Sequence, residues 1–97
     1  MDEVALLDER MTEPHVKFGV PSILRKWPSL NNARRNDGTG PYMVAEGTLE
    51  ACIREFMAKP EAARHLYEIH TAPQPPLITE VLSAAHVIEL ARLRDFL

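Results

Sequence analysis

The chain has 97 residues and a mass of 11.0 kDa, which fits one small domain. Hydrophobic residues make up 45% of it and charged residues 26%, so there is enough apolar surface to offset the entropy of ordering, and a wholly disordered chain is excluded. No apolar run approaches the roughly 18 residues of a membrane helix, and four acidic residues among the first nine argue against a signal peptide.

The net charge of −3 is unevenly distributed along the chain. Residues 1–16 contain five acidic residues and one arginine, whereas residues 17–41 contain five basic residues and one aspartate. The two segments adjoin, so they either neutralise each other or leave a basic surface for a partner. The single cysteine, Cys52, has no partner for an intramolecular disulfide, which favours the reducing cytoplasm as the compartment.

Four prolines recur through the first half and predict short turns rather than long helices or central strands. Apolar residues spaced three and four apart allow a short helix over residues 3–11. Residues 21–27 are predicted to form one or two helical turns, and residues 29–36 another, with Ser29 as the N-cap. The run from Asn36 to Pro41 is predicted to be a loop. We therefore expect residues 1–42 to form an irregular arm.

The second half carries the spacing of amphipathic helices. Thr48 is a good N-cap, and the apolar positions that follow it predict a helix over residues 48–58. Pro60 both ends that helix and starts the next, predicted over residues 60–70. The proline-rich residues 71–76 predict an extended connector. The residues expected to be buried across the second half are Leu49, Ile53, Phe56, Leu66, Ile88, Leu90 and Leu93.

The longest helix is predicted over residues 84–96, with Ser83 as its N-cap. Apolar residues cover well over half of its circumference, which is typical of a helix at the centre of a core or at an interface. The sequence thus predicts an all-α fold, in which a small bundle of three main helices forms a compact domain over residues 43–97.

Catalytic and metal-binding patterns are weak. His65 and His70 are five residues apart, whereas two ligands on one helix stand four apart, so no bound metal is predicted. Cys52 lies in an apolar stripe, where a buried, unreactive thiol is expected. His86 falls in the first turn of its helix and is expected to be neutral and partly buried. No cofactor motif is present, and we expect no enzymatic activity.

Three hypotheses of function follow, and the third is an enzyme or metal protein built around Cys52 and the histidines. The first is a small cytoplasmic interaction or adaptor module that forms a homodimer or binds a larger protein, because about 50 helical residues make a marginal core alone. Its expected contact residues are Val87, Leu90, Leu93, Arg94 and Leu97. The alternative is a regulator that binds nucleic acid through residues 17–42, where cations alternate with aromatic rings. Its candidate residues are Lys17, Arg25, Lys26, Trp27, Arg34 and Arg35.

Overall fold

The computed structural model describes residues 16–35 and 38–96. Its elements in chain order are β1 (Pro21–Lys26), β2 (Ser29–Leu30), β3 (Ala33–Arg34), β4 (Tyr42–Thr48), α1 (Leu49–Met57), a 3₁₀-helix (Glu61–Leu66), β5 (Tyr67–Thr71), β6 (Val81–Leu82) and α2 (Ala84–Phe96). Four strands form an antiparallel sheet in the order β4-β1-β5-β6, and β2 and β3 form a separate hairpin. The all-α prediction is therefore wrong, and the fold is α+β. The predicted helix over residues 3–11 lies outside the described residues.

Strand β5 occupies part of the predicted helix over residues 60–70, which is the largest error in the sequence-based prediction. Only Glu61–Leu66 is helical there, as a 3₁₀-helix, and the chain then becomes extended. Tyr67 and Ile69 point into the core, while Glu68 and His70 alternate with them on the other face of the sheet. This two-residue period is typical of a strand, and pairing with β1 stabilises it over the competing helix.

Strand β1 is central to the sheet, whereas helical turns were predicted over residues 21–27. Leu24 is fully buried and pairs with Ala45 of β4 on one side and Ile69 of β5 on the other. The Ser22 hydroxyl donates a 2.8 Å hydrogen bond to the hydroxyl of Thr71 inside this layer. Strands from both sides of the expected boundary at residue 42 thus belong to one sheet.

The segment predicted as a helical turn over residues 29–36 contains a tight hairpin instead. Asn31 and Asn32 have φ values of 54° and 63°, in the left-handed region. A two-residue turn with positive φ at both positions matches the right-handed twist of paired strands, and asparagine tolerates that conformation. Two consecutive asparagines between β2 and β3 are therefore the local cause of the hairpin.

Helix α1 confirms the prediction for residues 48–58 within one residue at each end. The Thr48 hydroxyl accepts a 3.0 Å hydrogen bond from the backbone N–H of Ala51, so it is the N-cap. The preceding segment satisfies two further amides, because the carbonyls of Val20 and Phe18 accept from Leu49 and Glu50 at 2.8 and 2.9 Å. These bonds attach the start of α1 to the residues just before β1.

Helix α2 has the predicted bounds of residues 84–96, and both α-helices pack on the same face of the sheet. Of the seven residues expected to be buried, Ile88 and Leu93 are only half-buried. Cys52 is buried in this layer, as predicted. No helix in the described part of the chain is long and apolar enough to span a bilayer. The buried apolar core consists of Leu24, Leu49, Cys52, Ile53, Phe56, Leu66, Tyr67, Ile69, Ile78, Leu82, Val87, Leu90 and Ala91.

Candidate functional site

The face of the sheet opposite the helices is called here the open face. Side chains alternate along β1, so Leu24 points to the helices while its neighbours Ile23 and Arg25 point away from them. Residues directly opposite each other on neighbouring strands lie on the same face of a sheet, so the partners of Ile23 and Arg25, and the β6 partner of His70, also belong to the open face. Its members are Ile23, Arg25, Met43, Glu46, Glu68, His70 and Val81. Three of these are apolar, and Met43 and Val81 are about half exposed, at 54% and 46%.

A hydrogen-bonded chain of three side chains, the Glu68 cluster, lies on the open face. Trp27 Nε1 donates to Glu68 Oε1 at 2.9 Å, and His70 Nε2 is 2.6 Å from Glu68 Oε2. Glu68 is only 8% exposed, so these two partners take the place of water around its carboxylate. The arrangement fixes the orientation of the His70 ring, whose side chain remains partly exposed.

His70 also lines a groove of about 550 Å³ at one end of the sheet. The groove runs between the start of β1, the end of β4 and the end of β5, and two exposed carboxylates, Glu46 and Glu80, border it. The described residues include no group of three or more histidine, cysteine or acidic side chains placed to bind a metal ion.

The hydroxyl groups of the groove are already engaged in the fold. Ser22 and Thr71 bond to each other, and Thr48 caps α1. The thiol of Cys52 lies in the core on the other side of the sheet, where burial raises its pKa. A nucleophile activated by a histidine base needs the two groups within hydrogen-bonding reach, whereas these hydroxyls bond to other groups of the fold and His70 bonds to Glu68.

Strand β4 forms one edge of the sheet and pairs only with β1 among the described strands. It is seven residues long and mostly exposed, with its three consecutive large apolar residues, Tyr42, Met43 and Val44, exposed at 48%, 54% and 38%. Exposed edges are commonly protected by lysine, proline, bulges or shortness. In β4 the only such devices are Glu46 and a register irregularity at Val44. This edge is the least protected backbone surface of the described sheet.

The candidate nucleic-acid-binding residues fall into two groups. Lys17 lies before the start of β1, whereas the other candidates lie at or after its end. The side chain of Gln74 accepts a hydrogen bond from the backbone N–H of Lys17 and donates one to its carbonyl. Arg34 stacks over Trp27 at 5.0 Å and donates two hydrogen bonds to the carbonyl of His65. Lys26 lies 5.9 Å from the ring of Tyr42.

Two of the candidate cations, Lys26 and Arg34, thus contact aromatic rings of the same segment. The neighbouring open face adds Glu46 and Glu68, whose negative charge opposes phosphate binding. Arg25 lies directly across from Glu68, and Arg35 is exposed just after β3.

The expected protein-contact residues on α2 are mostly used inside the domain. Val87 and Leu90 are buried, and Leu93 and Arg94 are half-buried, while Leu97 lies outside the described residues. The apolar surface that suggested a partner for this helix packs against α1, β5, β6 and the 3₁₀-helix, and Ile88 and Leu93 remain partly exposed.

Sequence analysis missed Glu68 and His70 as a pair, and it missed β4 as an edge. The alternation from Tyr67 to Thr71 and the strand-forming run Tyr42-Met43-Val44 were the available signals. Neither signal identifies which strand lies at an edge, because that depends on pairing between distant segments.

Comparisons with protein-family models, with curated proteins and with solved structures found no match to this chain.

Proposed function

We propose that this chain is a non-catalytic protein-interaction module of the cytoplasm that binds its partner through the β4 edge and the adjoining part of the open face. The observation that carries the proposal is the exposed apolar run of β4 on an edge strand with little protection. An extended segment of a partner that pairs with such an edge gains main-chain hydrogen bonds, while the neighbouring side chains supply specificity.

The chemistry of the surface supports a protein partner. Met43 and Val44 offer apolar contact area, and Tyr42 adds an aromatic ring with a polar end, a residue type enriched in protein interfaces. Two of the five candidate cations of the nucleic-acid hypothesis, Lys26 and Arg34, contact aromatic rings of their own chain, and Arg34 also bonds to a carbonyl, so that hypothesis has less support. The cytoplasmic setting rests on the single cysteine, which is buried and unpaired.

The test is site-specific photo-crosslinking in the native cell. A benzophenone amino acid replaces Met43 at the β4 edge in one variant and Leu30 in the control variant. Leu30 is 66% exposed and lies on the β2–β3 hairpin, away from the sheet edge. We expect covalent adducts with a defined protein from position 43 and none of comparable yield from position 30. Absence of an adduct from position 43, or equal adducts from both positions, would overturn the proposal.

A further inference from the structure

From the length, composition and register of β4 we infer that the partner at this edge is a second copy of the chain, joined by antiparallel β4–β4 pairing across a two-fold axis. This inference rests on the proposed function and names its partner. It assigns the self-association expected for this chain to β4 rather than to α2, whose residues Val87, Leu90 and Ala91 are already buried in the core of the domain.

The two edges of the sheet differ in a way that favours a closed dimer. Strand β4 offers seven residues, whereas β6 at the opposite edge has only two, Val81 and Leu82. Pairing β4 with β6 of another copy would match two residues and leave further edges open, which leads to chains of molecules. Pairing β4 with itself uses a longer edge than β6 offers, with the irregularity at Val44 next to the two-fold axis, and it uses the same surface on both copies, which closes after two.

The charge pattern of β4 is compatible with self-pairing. The strand has a single ionisable side chain at neutral pH, Glu46, and its central residue is Ala45. A two-fold axis at Ala45 places Glu46 of each copy opposite Val44 of the other, and Tyr42 opposite Thr48. Two carboxylates would face each other only in the register centred on Glu46, which like-charge repulsion disfavours.

The groove beside β4 would then receive a residue from the other copy. Thr48 and Gly47 line that groove, and in the register centred on Ala45 they lie opposite Tyr42 and Met43 of the second copy. Tyr42 and Met43 of each copy would thus lie against the end of β4 that borders the groove in the other copy. The most exposed residues of one strand would cover the groove of the other.

Sedimentation equilibrium of the purified full chain tests this inference. We expect a mass of twice 11.0 kDa at high concentration. Val44→Glu places a second carboxylate directly opposite Glu46 of the other copy at two symmetric positions, so like-charge repulsion should weaken the dimer at least tenfold, and Met43→Glu next to it should also weaken the dimer. Arg25 of β1 pairs with Met43 of β4, so a carboxylate at position 43 faces a cation in the monomer and is compatible with its fold. The matched control Leu30→Glu introduces the same carboxylate at an exposed leucine and should leave the dimer unchanged.

Unchanged far-UV circular dichroism and urea midpoints establish that the variants are folded. A wild-type chain that stays monomeric at several hundred micromolar overturns the inference, as does an equal loss of dimer in Leu30→Glu. If the chain is monomeric but position 43 crosslinks to another protein in the cell, self-pairing fails and the proposed function stands. If the chain is monomeric and position 43 yields no adduct, both fail.

Discussion

Phe56 is the side chain whose removal most directly tests the packing of helices on the sheet. It lies on α1, is 0% exposed, and belongs to the same buried cluster as Leu24 of β1 and Val87 of α2. Loss of the ring removes about 1.5–3 kcal/mol of hydrophobic burial. A cavity adds to this loss, because the surrounding residues belong to a paired sheet and a second helix and relax only in part. The expected total for Phe56→Ala is about 3–5 kcal/mol.

A domain of this size has roughly 5–15 kcal/mol of stability in all, so the variant approaches the limit of folding. At about 4–8 °C per kcal/mol, the midpoint of thermal unfolding should fall by tens of degrees. Urea titration followed by circular dichroism measures the change, and Phe96→Ala is the matched control, because Phe96 is 90% exposed at the end of α2. The control should shift stability by less than about 0.5 kcal/mol. A shift below 1 kcal/mol for Phe56→Ala, or equal shifts in both variants, would refute the assignment of Phe56 to the core.

Three further predictions concern single side chains. Thr48→Ala should lower the free energy of unfolding by about 1 kcal/mol in urea titration, since it removes the acceptor at the start of α1, and no change would mean that the cap contributes nothing. Because burial raises the pKa of Cys52 in the folded chain, the unfolded chain loses the thiol proton at lower pH than the folded one. Stability should therefore decline above about pH 8.5 more steeply in wild type than in Cys52→Ala, and a thiol reagent should label the native chain slowly. Parallel pH profiles or rapid labelling would contradict the buried position. Glu68→Leu should lower stability by about 1–3 kcal/mol, because Trp27 and His70 lose their shared acceptor, and should move the Trp27 indole N–H resonance upfield. Glu68→Gln retains an amide oxygen as an acceptor, and it should have a smaller effect on both measurements.

The two α-helices could be predicted from sequence because their signals are local. The apolar stripe from Leu49 to Met57 repeats with a helical period, and Thr48 marks its start. Both features depend only on residues within a few turns of one another, so neither needs knowledge of the rest of the fold. The helix over residues 84–96 was predicted from the same kind of local pattern. Its apolar residues were expected to pack against a partner, whereas they pack inside the domain.

The sheet could not be predicted from the same signals, because short segments carry both periods at once. In residues 60–70, Ala63, Leu66 and Tyr67 fit a helical stripe, while Tyr67 and Ile69 also alternate with polar residues as in a strand. Pairing with β1, more than 40 residues away, decides between them. Such a choice depends on long-range contacts, which override local preference.

The candidate site depends on that same long-range pairing. Trp27 and Glu68 are 41 residues apart in sequence and meet because β1 and β5 are neighbours. Basic and aromatic residues alternate between residues 17 and 42, but the cations Lys26 and Arg34 contact rings of the same chain, and which rings they meet depends on the fold. The exposed edge is likewise a property of strand order, since the sequence of β4 alone would suit a central strand equally well.

Intermolecular nuclear Overhauser effects are the most direct test of β4 as the contact between two copies. An equimolar mixture of isotope-labelled and unlabelled chains gives signals only between protons of different copies in an isotope-filtered experiment. We expect contacts between Val44 of one copy and Glu46 of the other, since directly opposed residues of antiparallel strands have Cβ atoms about 4.5–5.5 Å apart. Intermolecular contacts confined to Leu93 and Phe96 on α2, or none at millimolar concentration, would contradict the account.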